Sequence, residues 1–259
     1  MPTLKDLSRR LRSITSIQKI TKSMKMVSAS KYARAEREFR AAKVFGEGAV
    51  SFYTRSGLFG DLGEPFAADR TASDRYCILM SSDRGLCGGI HAGLARMIRN
   101  KFQNLPGQDQ INDCVVNEDS TKLLIVGDKI KSMLQRQFSK TFSVTVSEVG
   151  KRALTFDEAA RIAHLILNDP SFPSANAEII YNQFNSVLSY TIRSVPVLTG
   201  EKLRSSPLLG IYDSVDTDVL RSFHEFHLAA LIYYTFKQNY TSELASRMNA
   251  MEGASKNAG

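Results

Sequence analysis

Residues 4–39 read LKDLSRRLRSITSIQKITKSMKMVSASKYARAEREF, a stretch without proline or glycine. Apolar side chains recur along this stretch and just beyond it in steps of three and four, at Leu4, Leu7, Leu11, Ile14, Ile17, Ile20, Met24 and Val27, then at Tyr32, Ala35, Phe39 and Ala42. This heptad spacing, with one residue missing near Ile17, is typical of a coiled coil that is locally overwound. The pattern predicts one coiled-coil helix over residues 1–55, and so narrow an apolar stripe requires a partner helix.

The C-terminal residues 208–259 carry a matching pattern. They contain no proline, and apolar residues recur at heptad spacing, at Val219, Phe223, Phe226, Ala230 and Tyr233, then at Tyr240, Leu244, Met248 and Met251. The simplest interpretation is that the two terminal helices pair antiparallel. At 1.5 Å per residue they would be roughly 75 Å and 65 Å long, so the C-terminal helix is expected to draw barely level with the N-terminus.

Between the two helices the residue pattern changes. Residues 56–75 are rich in Gly, Pro and Asp and predict a linker. From 76 to 207, short apolar runs such as YCILM (76–80) and KLLIV (122–126) alternate with helical patterns. This alternation predicts an α/β domain whose mostly parallel sheet is covered on both faces. The predicted fold class is α/β, with a long antiparallel coiled coil built from both ends of the chain.

The net charge of +8 is concentrated at one end of the chain. Residues 1–43 hold twelve Lys and Arg and three acidic residues, a net +9, whereas the other 216 residues carry a net −1. Such a block indicates an acidic partner, which is nucleic acid, an anionic membrane surface or acidic protein loops. Aromatic residues for stacking or for wedging into lipid are sparse there, which argues against the first two. Acidic protein loops and a merely solvated face are the remaining interpretations.

No catalytic, cofactor or metal site is predicted. The loop SSDRGLCGG (81–89) follows a strand, where doubly wound folds bind nucleotides, but its glycines lack the GxGxxG spacing. His224 and His227, in HEFH, lack the HExxH spacing of zinc peptidases, and we interpret them as residues on the helix surface or the coil flank. Cys87 is a candidate reactive thiol. The three cysteines show no CxxC spacing, which favours a reducing compartment.

Seven segments of the chain resemble, in order, the γ subunit of rotary ATP synthases of the mitochondrial kind. They are IQKITKSMKMVSASKYARAERE (17–38), SSDRGLCGGIH (81–91), GDKI (127–130), EVGKR (148–152), IIYNQFNSVLSY (179–190), IYDSVDTDVLRSF (211–223) and SRMNAMEGASKNA (246–258). The resemblance covers nearly the whole chain. It implies an antiparallel helical coil with a Rossmann-like domain at its foot, the architecture that the residue patterns predict independently.

The same resemblance implies a function. The chain would be the central rotor shaft that couples proton-driven rotation of the c-ring to conformational cycling of the catalytic β subunits, with no catalytic site of its own. The coil would stand inside a ring of α and β subunits, and the foot would bind the small rotor subunits (δ and ε) and the membrane c-ring. The implied location is the matrix side of the mitochondrial inner membrane, reached only through the complex. Neither a cofactor nor nucleic acid is implied.

The resemblance also assigns contact residues. By motif match, side chains of QKITKSMKM and SSDRGLCG are expected to meet acidic loops of β, namely Lys19, Lys22, Met24, Lys25 and Arg84. Arg9, Arg10 and Arg12 belong to the same basic sleeve. Exposed ion pairs contribute only about 0–1 kcal/mol each, so many weak contacts would let a shaft turn without fixing one angle.

One departure from the family pattern lies at the C-terminus. Family members usually continue well past the ASKNA motif (254–258), so we expect either a truncation or a shortened variant, and the apical bearing residues are not carried over. Two other functions stay open at this point. One is a nucleotide-binding α/β enzyme, which binding of ATP or NAD would reveal. The other is a basic coiled-coil nucleic-acid binder, which a salt-dependent shift would reveal.

Overall fold

The computed structural model describes residues 3–55, 75–103, 120–149, 154–172, 176–198, 200–204 and 215–259. The elements in chain order are α1 (Leu4–Arg55), β1 (Arg75–Met80), α2 (Ile90–Gln103), β2 (Thr121–Val126), α3 (Asp128–Phe138), β3 (Phe142–Val146), α4 (Phe156–Leu167), β4 (Asn176–Phe184), β5 (Tyr190–Val197), α5 (Gly200–Arg204) and α6 (Thr217–Asn257). The predicted terminal helices and α/β class are confirmed. The predicted linker at 56–75 lies outside the described residues, except Arg75, which begins β1.

The sheet has five strands in the order β3-β2-β1-β4-β5. β1 pairs in parallel with both β2 and β4, and β2 pairs in parallel with β3. β5 is antiparallel to β4 and forms a hairpin with it at the sheet edge. From β1 the chain steps outward through β2 to β3, then crosses back to β4 on the other side of β1. This reversal between β1 and β4 is the switch point at which doubly wound folds bind their ligands.

Helices cover both faces of the sheet, as the sequence predicts. On one face, Cys77 and Leu79 of β1 pack with apolar residues of α2 and α3. On the other face, Ile78 and Met80 pack with α4 and with α6. Because α6 contributes Leu231 to this second core, it belongs to the coil and to the domain at once. The domain therefore packs directly against the coil helix and is not merely tethered to it.

Side-chain caps set where two of these helices begin. The Thr155 hydroxyl accepts a hydrogen bond from the Glu158 amide, and the Glu158 carboxylate accepts one from the Thr155 amide. This capping box sets the start of α4. Asp216 caps α6 by accepting a hydrogen bond from the Val219 amide at 2.8 Å.

The two terminal helices run antiparallel, and α1 turns a regular heptad face toward α6. That face has steps of three and four, and its buried members are Thr21, Ser28, Tyr32, Ala35, Phe39, Ala42 and Gly46. The small residues among them, such as Ala35, Ala42 and Gly46, let the helix axes approach closely. A partly buried ion pair joins the helices along this face, with Lys237 Nζ 2.7 Å from a Glu38 oxygen. Burial opposes ionisation of Glu38, but hydrogen bonds from Lys237 and Arg34 outweigh it and lower its pKa.

The prediction that the whole apolar stripe of α1 faces a partner helix is wrong for its first half. Ile17, Ile20 and Val27 are 48%, 57% and 55% exposed. They lie one residue before the heptad positions, which Gln18, Thr21 and Ser28 occupy, so the missing residue near Ile17 moves the stripe off the coil face onto its flank. The irregularity that we interpreted as overwinding is therefore a change of face. Leu4, Leu7, Leu11 and Ile14 keep the heptad phase but are exposed too.

The expected alignment of the helix ends is also wrong. Gly259 lies beside Gln18. A Cβ added at Gly259 would be 2.8 Å from the side-chain nitrogen Nε2 of Gln18. The N-terminal part of α1 therefore extends about 20 Å beyond α6. The cause is the register: α6 starts only at Thr217, and His227 is already beside Ala49, with its Nε2 2.7 Å from the Ala49 carbonyl oxygen.

Candidate protein-interaction surface

The basic residues that the sequence assigns to partner contacts line the outer surface of α1. Arg9, Arg10 and Arg12 are exposed on the part of α1 that α6 does not cover. Lys19 and Lys22 are exposed beside the flank stripe of Ile17, Ile20 and Val27. The described surface of the first half of α1 therefore combines cationic and apolar side chains. This composition suits contact with an acidic protein surface better than full exposure to water.

Lys25 lies where α1 meets α6, and Met24 precedes it on the helix. Both are half-buried, and Lys25 Nζ is 3.0 Å from a carboxylate oxygen of Glu252 on α6. Lys256 Nζ lies 3.3 Å from the other oxygen of the same Glu252 carboxylate. These two cations lower the pKa of Glu252. Lys25 thus forms an ion pair between the two helices of the coil, whereas Lys19 and Lys22 are exposed.

The loop 81–89, which carries Arg84, is held against α6. Three side chains of α6 donate hydrogen bonds to its backbone carbonyl oxygens, and we call them the α6 clamp. Asn239 reaches Ser81 O at 3.2 Å, Arg247 Nε reaches Gly85 O at 3.2 Å, and Ser246 Oγ reaches Cys87 O at 2.6 Å, so the clamp is Asn239, Ser246 and Arg247. Arg84 itself is exposed. Glu252, the partner of Lys25, is only about 7 Å further along α6 than Arg247, so the structure brings the loop and Lys25 to one stretch of the coil.

The coil helix occupies the switch point of the sheet. Asn239 of α6 donates to Ser81 O, at the end of β1, and its amide oxygen accepts from Asn182 Nδ2 of β4 at 2.8 Å. Ser242 of α6 also donates to Asn182 O at 3.1 Å. The ends of β1 and β4, between which a doubly wound fold takes a nucleotide, are thus bridged by protein side chains.

A carboxylate of the chain also occupies the anion position at the start of α3. Asp83 accepts hydrogen bonds from the amides of Asp128 at 2.8 Å and Glu148 at 2.7 Å. Helix N-termini bind phosphates through these amides and the helix dipole. Gly127, at φ 106°, lets the turn pass so close to Ser82 that a Cβ would be 2.6 Å from its amide nitrogen. A bound phosphate would meet both a filled site and a repelling charge.

His91, in the first turn of α2, supports the same loop. One ring nitrogen, Nδ1, lies 3.0 Å from the Ser81 hydroxyl, and Nε2 lies 3.1 Å from Arg84 O. Burial lowers the pKa of His91, so the neutral ring that donates from Nε2 is favoured. Burial also raises the pKa of Cys87 to about 11, and the side chain is 2% exposed. The suggestion that Cys87 is a reactive thiol therefore loses its basis.

His224 and His227 are structural residues. Their Nε2 atoms each lie 2.7 Å from a backbone carbonyl oxygen, of Leu198 and Ala49 respectively. His227 is 5% exposed and contacts α1, so of its two interpretations, helix surface or coil flank, the first is wrong. Within the described ranges, no three His, Cys, Asp or Glu side chains are placed to hold a metal ion together. The same residues include no helix that is long and apolar enough to cross a membrane.

Lowering the pH through the histidine range is expected to destabilise the fold. Burial lowers the pKa of His91, His224 and His227 below their ordinary value. As the pH falls through about 6.5, the unfolded chain therefore binds protons that the folded chain does not, and stability decreases until the folded pKa values are reached. Urea unfolding between about pH 7.5 and 5.5 measures this, and His227→Gln should flatten the dependence. A midpoint that is independent of pH would contradict the burial argument.

Sequence reasoning missed the clamp. Its signal is a second heptad pattern on α6, in which polar residues recur in steps of three and four at Asn239, Ser242, Ser246 and Asn249. Asn249 follows the same rule and donates to Val187 O in the β4–β5 hairpin at 2.7 Å. A buried polar stripe that bonds backbone carbonyls looks in sequence like an ordinary solvated face. Only the fold shows which of the two it is.

Comparison with known proteins agrees with this architecture. The family model described as ATP synthase matches residues 3–259. The mitochondrial ATP synthase subunit gamma of Drosophila melanogaster is 42% identical over 259 residues, covering 100% of this chain and 80% of that protein. The mitochondrial ATP synthase F(1) complex subunit gamma of Rattus norvegicus is 41% identical over 256 residues, covering 99% of this chain and 87% of that protein.

Solved structures support the fold. A chain of the Tetrahymena thermophila mitochondrial ATP synthase central stalk and c-ring structure superposes with a TM-score of 0.69 at 24% identity, covering 91% of this chain and 99% of that one. A chain of the Euglena gracilis mitochondrial ATP synthase structure in rotational state 3 superposes with a TM-score of 0.75 at 19% identity, covering 97% and 82%. With its paired terminal helices, its sheet packed against one of them and relatives of this kind, the chain belongs to the ATP synthase γ-subunit family.

Proposed function

We propose that this chain is the central rotor shaft of the catalytic sector of ATP synthase. It couples proton-driven rotation of the c-ring to conformational cycling of the β subunits for ATP synthesis, or for hydrolysis in reverse. The chain is a non-catalytic subunit and works on the matrix side of the mitochondrial inner membrane. Its partners are the α and β subunits around the coil, and the small rotor subunits (δ and ε) and the c-ring at the foot.

The observation that carries this proposal is the joint between coil and domain. Because α6 is both a coil helix and a layer of the domain, torque applied to the foot passes into the coil through a packed core and through directional hydrogen bonds. The hydrophobic effect is itself non-directional, so the hydrogen bonds add a fixed orientation to the packed contact. An asymmetric shaft of this kind makes the surrounding subunits unequal in energy at each angle, which is the coupling that a rotary mechanism needs.

The exposed basic and apolar residues in the first half of α1 support the assigned contacts. We infer that Lys19, Lys22, Met24 and Arg84 meet acidic loops of β. We infer that Lys25 shares its charge between that surface and Glu252. The sleeve residues Arg9, Arg10 and Arg12 extend the same surface along the uncovered end of α1. Each pair is weak and exposed, so none holds the shaft at one angle.

The two other functions lose support. A nucleotide-binding enzyme needs the crevice that Asn239 bridges and the helix terminus that Asp83 fills. A nucleic-acid binder would stack bases on aromatic rings, but Tyr32 and Phe39 are 8% and 7% exposed and pack near Phe184 inside the coil joint. Native mass measurement of the purified particle tests the assignment. We expect one copy of this chain among three copies each of two larger subunits, and a particle without that stoichiometry would refute the proposal.

Reversing the charge of Arg84 is expected to weaken coupling. In Arg84→Glu a repulsive contact replaces an attractive one at each β loop in turn, and we expect the number of protons pumped per ATP hydrolysed to fall about two- to five-fold. The readout is ATP-driven acidification of proteoliposomes that contain the assembled complex. Arg136→Glu, which reverses an exposed charge in the last turn of α3, is the matched control. Full coupling in Arg84→Glu would remove this residue from the contact set.

A further inference from the structure

The tip of the loop 81–89 has a backbone conformation that leucine rarely adopts. Leu86 has φ 62°, in the left-handed region, and its side chain is 60% exposed. A non-glycine residue there is strained because its Cβ approaches the following carbonyl oxygen. Because the Leu86 side chain is exposed, hydrophobic burial does not offset this strain. Such a conformation persists only where the surrounding structure holds it.

The α6 clamp holds the loop on both sides of that residue. Arg247 Nε donates to the carbonyl of Gly85, and Ser246 Oγ donates to the carbonyl of Cys87, the two residues that flank Leu86. Both donors come from adjacent positions of one helix. The loop tip is thus fixed to α6 by two hydrogen bonds that leave the Leu86 side chain outside.

Arg247 is itself locked in place. Its guanidinium also donates to Glu243, one helical turn earlier, and the two side chains are 8% and 2% exposed. A buried ion pair contributes little net stability compared with apolar side chains of similar size, because both charges are removed from water. Its effect here is directional, since a guanidinium fixed at one edge by a carboxylate presents its Nε–H in one orientation.

We propose that Arg247, oriented by Glu243 and assisted by Ser246, is a positioning residue that sets where loop 81–89 presents Arg84 to the partner subunit. The inference rests on the proposed contact between Arg84 and β. Arg84 precedes the clamped carbonyl of Gly85 directly, so a shift of the clamp moves it. The loop then turns with α6 as part of the shaft, and the clamp adds to the contacts that His91 and Asp83 make with the α/β domain.

The experiment compares two substitutions in the assembled complex. Arg247→Met removes both hydrogen bonds, and Arg247→Lys keeps a charge for Glu243 but loses the Nε–H that donates to Gly85 O. Arg221→Met is the matched control, because Arg221 lies on the same helix, pairs with Glu225 four residues away at 3.3 Å and is 79% exposed. One readout is maleimide labelling of Cys87, resolved by peptide mass, with buried Cys77 as internal reference. The other is protons pumped per ATP hydrolysed.

We expect both Arg247 variants to label Cys87 about ten-fold faster or more, as loss of a charged buried hydrogen bond increases local opening, and to lose coupling several-fold. Adding Leu86→Gly to Arg247→Met should restore much of the coupling, because glycine keeps the left-handed turn without a clamp. A merely structural defect would not be rescued in this way. If Arg247→Met does not assemble, Ser246→Ala gives the same test through the Cys87 carbonyl.

Unchanged Cys87 labelling in the Arg247 variants would overturn the proposal, and so would faster labelling with full coupling. Failure of the underlying contact is recognised separately. If Arg84→Glu retains full coupling while the Arg247 variants lose it and Leu86→Gly restores it, the clamp positions the loop for a residue other than Arg84. If Arg84→Glu loses coupling and the Arg247 variants do not, the contact stands and the clamp role is rejected.

Discussion

Replacing Lys101 with methionine is expected to lower the free energy of unfolding by about 3–5 kcal/mol, the range for breaking a buried ion pair from one side. Lys101 Nζ lies 2.8 Å from Glu178 Oε1, and the two side chains are 10% and 9% exposed. The same oxygen accepts from the Cys77 thiol at 3.4 Å. Without Lys101, a carboxylate remains in the core between β4 and α2. Denaturant unfolding followed by circular dichroism measures the loss.

The double variant Lys101→Met/Glu178→Leu is the control. Because apolar side chains replace both charges, it should recover most of the stability, whereas a simple packing defect would add to the loss. The positive charge of Arg75 also acts on Glu178 and places the single variant toward the lower end of the range. A single variant within about 1 kcal/mol of wild type would show that the pair is not buried as described.

The same pair has a pH signature. Burial opposes ionisation of Glu178, but the charge and hydrogen bond of Lys101 outweigh it and lower its pKa. Because the folded pKa is below the unfolded value of about 4.3, the contribution to stability is present above that pH and is lost as the pH falls through the folded pKa. The stability that Glu178 contributes is lost at a lower pH than the stability that depends on the three histidines. The two pH dependences of unfolding are therefore distinguishable in one series of measurements.

Gly46→Ala is expected to destabilise the coil by about 2 kcal/mol, despite the higher helix propensity of alanine. An added Cβ would lie 2.1 Å from Cγ and 2.6 Å from Cβ of Tyr234 on α6. Rotating the Tyr234 side chain about its Cα–Cβ bond can move Cγ but not Cβ, so the second overlap remains and the two helix backbones have to separate. Separation would loosen the heptad face from Phe39 to Ala49, and the thermal or denaturant midpoint measures the cost.

Gly48→Ala provides the control on the same helix. A Cβ at Gly48 meets no atom within 4 Å, and the residue is exposed. We expect this variant to gain about 0.5–1 kcal/mol from helix propensity alone. The two substitutions, two residues apart and chemically identical, should therefore change stability in opposite directions. Equal effects of both would mean that α1 does not contact α6 at Gly46.

The coil could be predicted because its signal is local. Heptad spacing at Tyr32, Ala35, Phe39 and Ala42 marks the face that the structure buries. The face between Gln18 and Ser28 could not be predicted, because buried positions there are polar or small while the apolar Ile17, Ile20 and Val27 lie on the flank. A hydrophobic pattern identifies the side that avoids water, and in a subunit of a larger assembly a partner can supply that environment as well as the chain itself.

The sheet and its helices could be predicted for the same reason, since YCILM and KLLIV are short buried strands by length and composition. The joint between coil and domain could not. Asn239 and Arg247 find their partners, Ser81 O and Gly85 O, more than 150 residues away in sequence. Long-range contacts between a side chain and a backbone carbonyl leave no periodic trace of their own. The resemblance to γ subunits located the loop, and the structure supplied what holds it.

The most direct test of the account is rotation of this chain relative to its partners. With the α and β subunits of the assembled catalytic sector fixed to a surface and a probe attached through Lys140→Cys, an exposed position away from the coil, addition of ATP should turn the probe continuously in one direction. A disulfide engineered between loop 81–89 and a β loop should stop both turning and hydrolysis, and its reduction should restore them. Sustained hydrolysis with a stationary probe, or with the disulfide fully formed, would contradict the claim that this coil is the shaft.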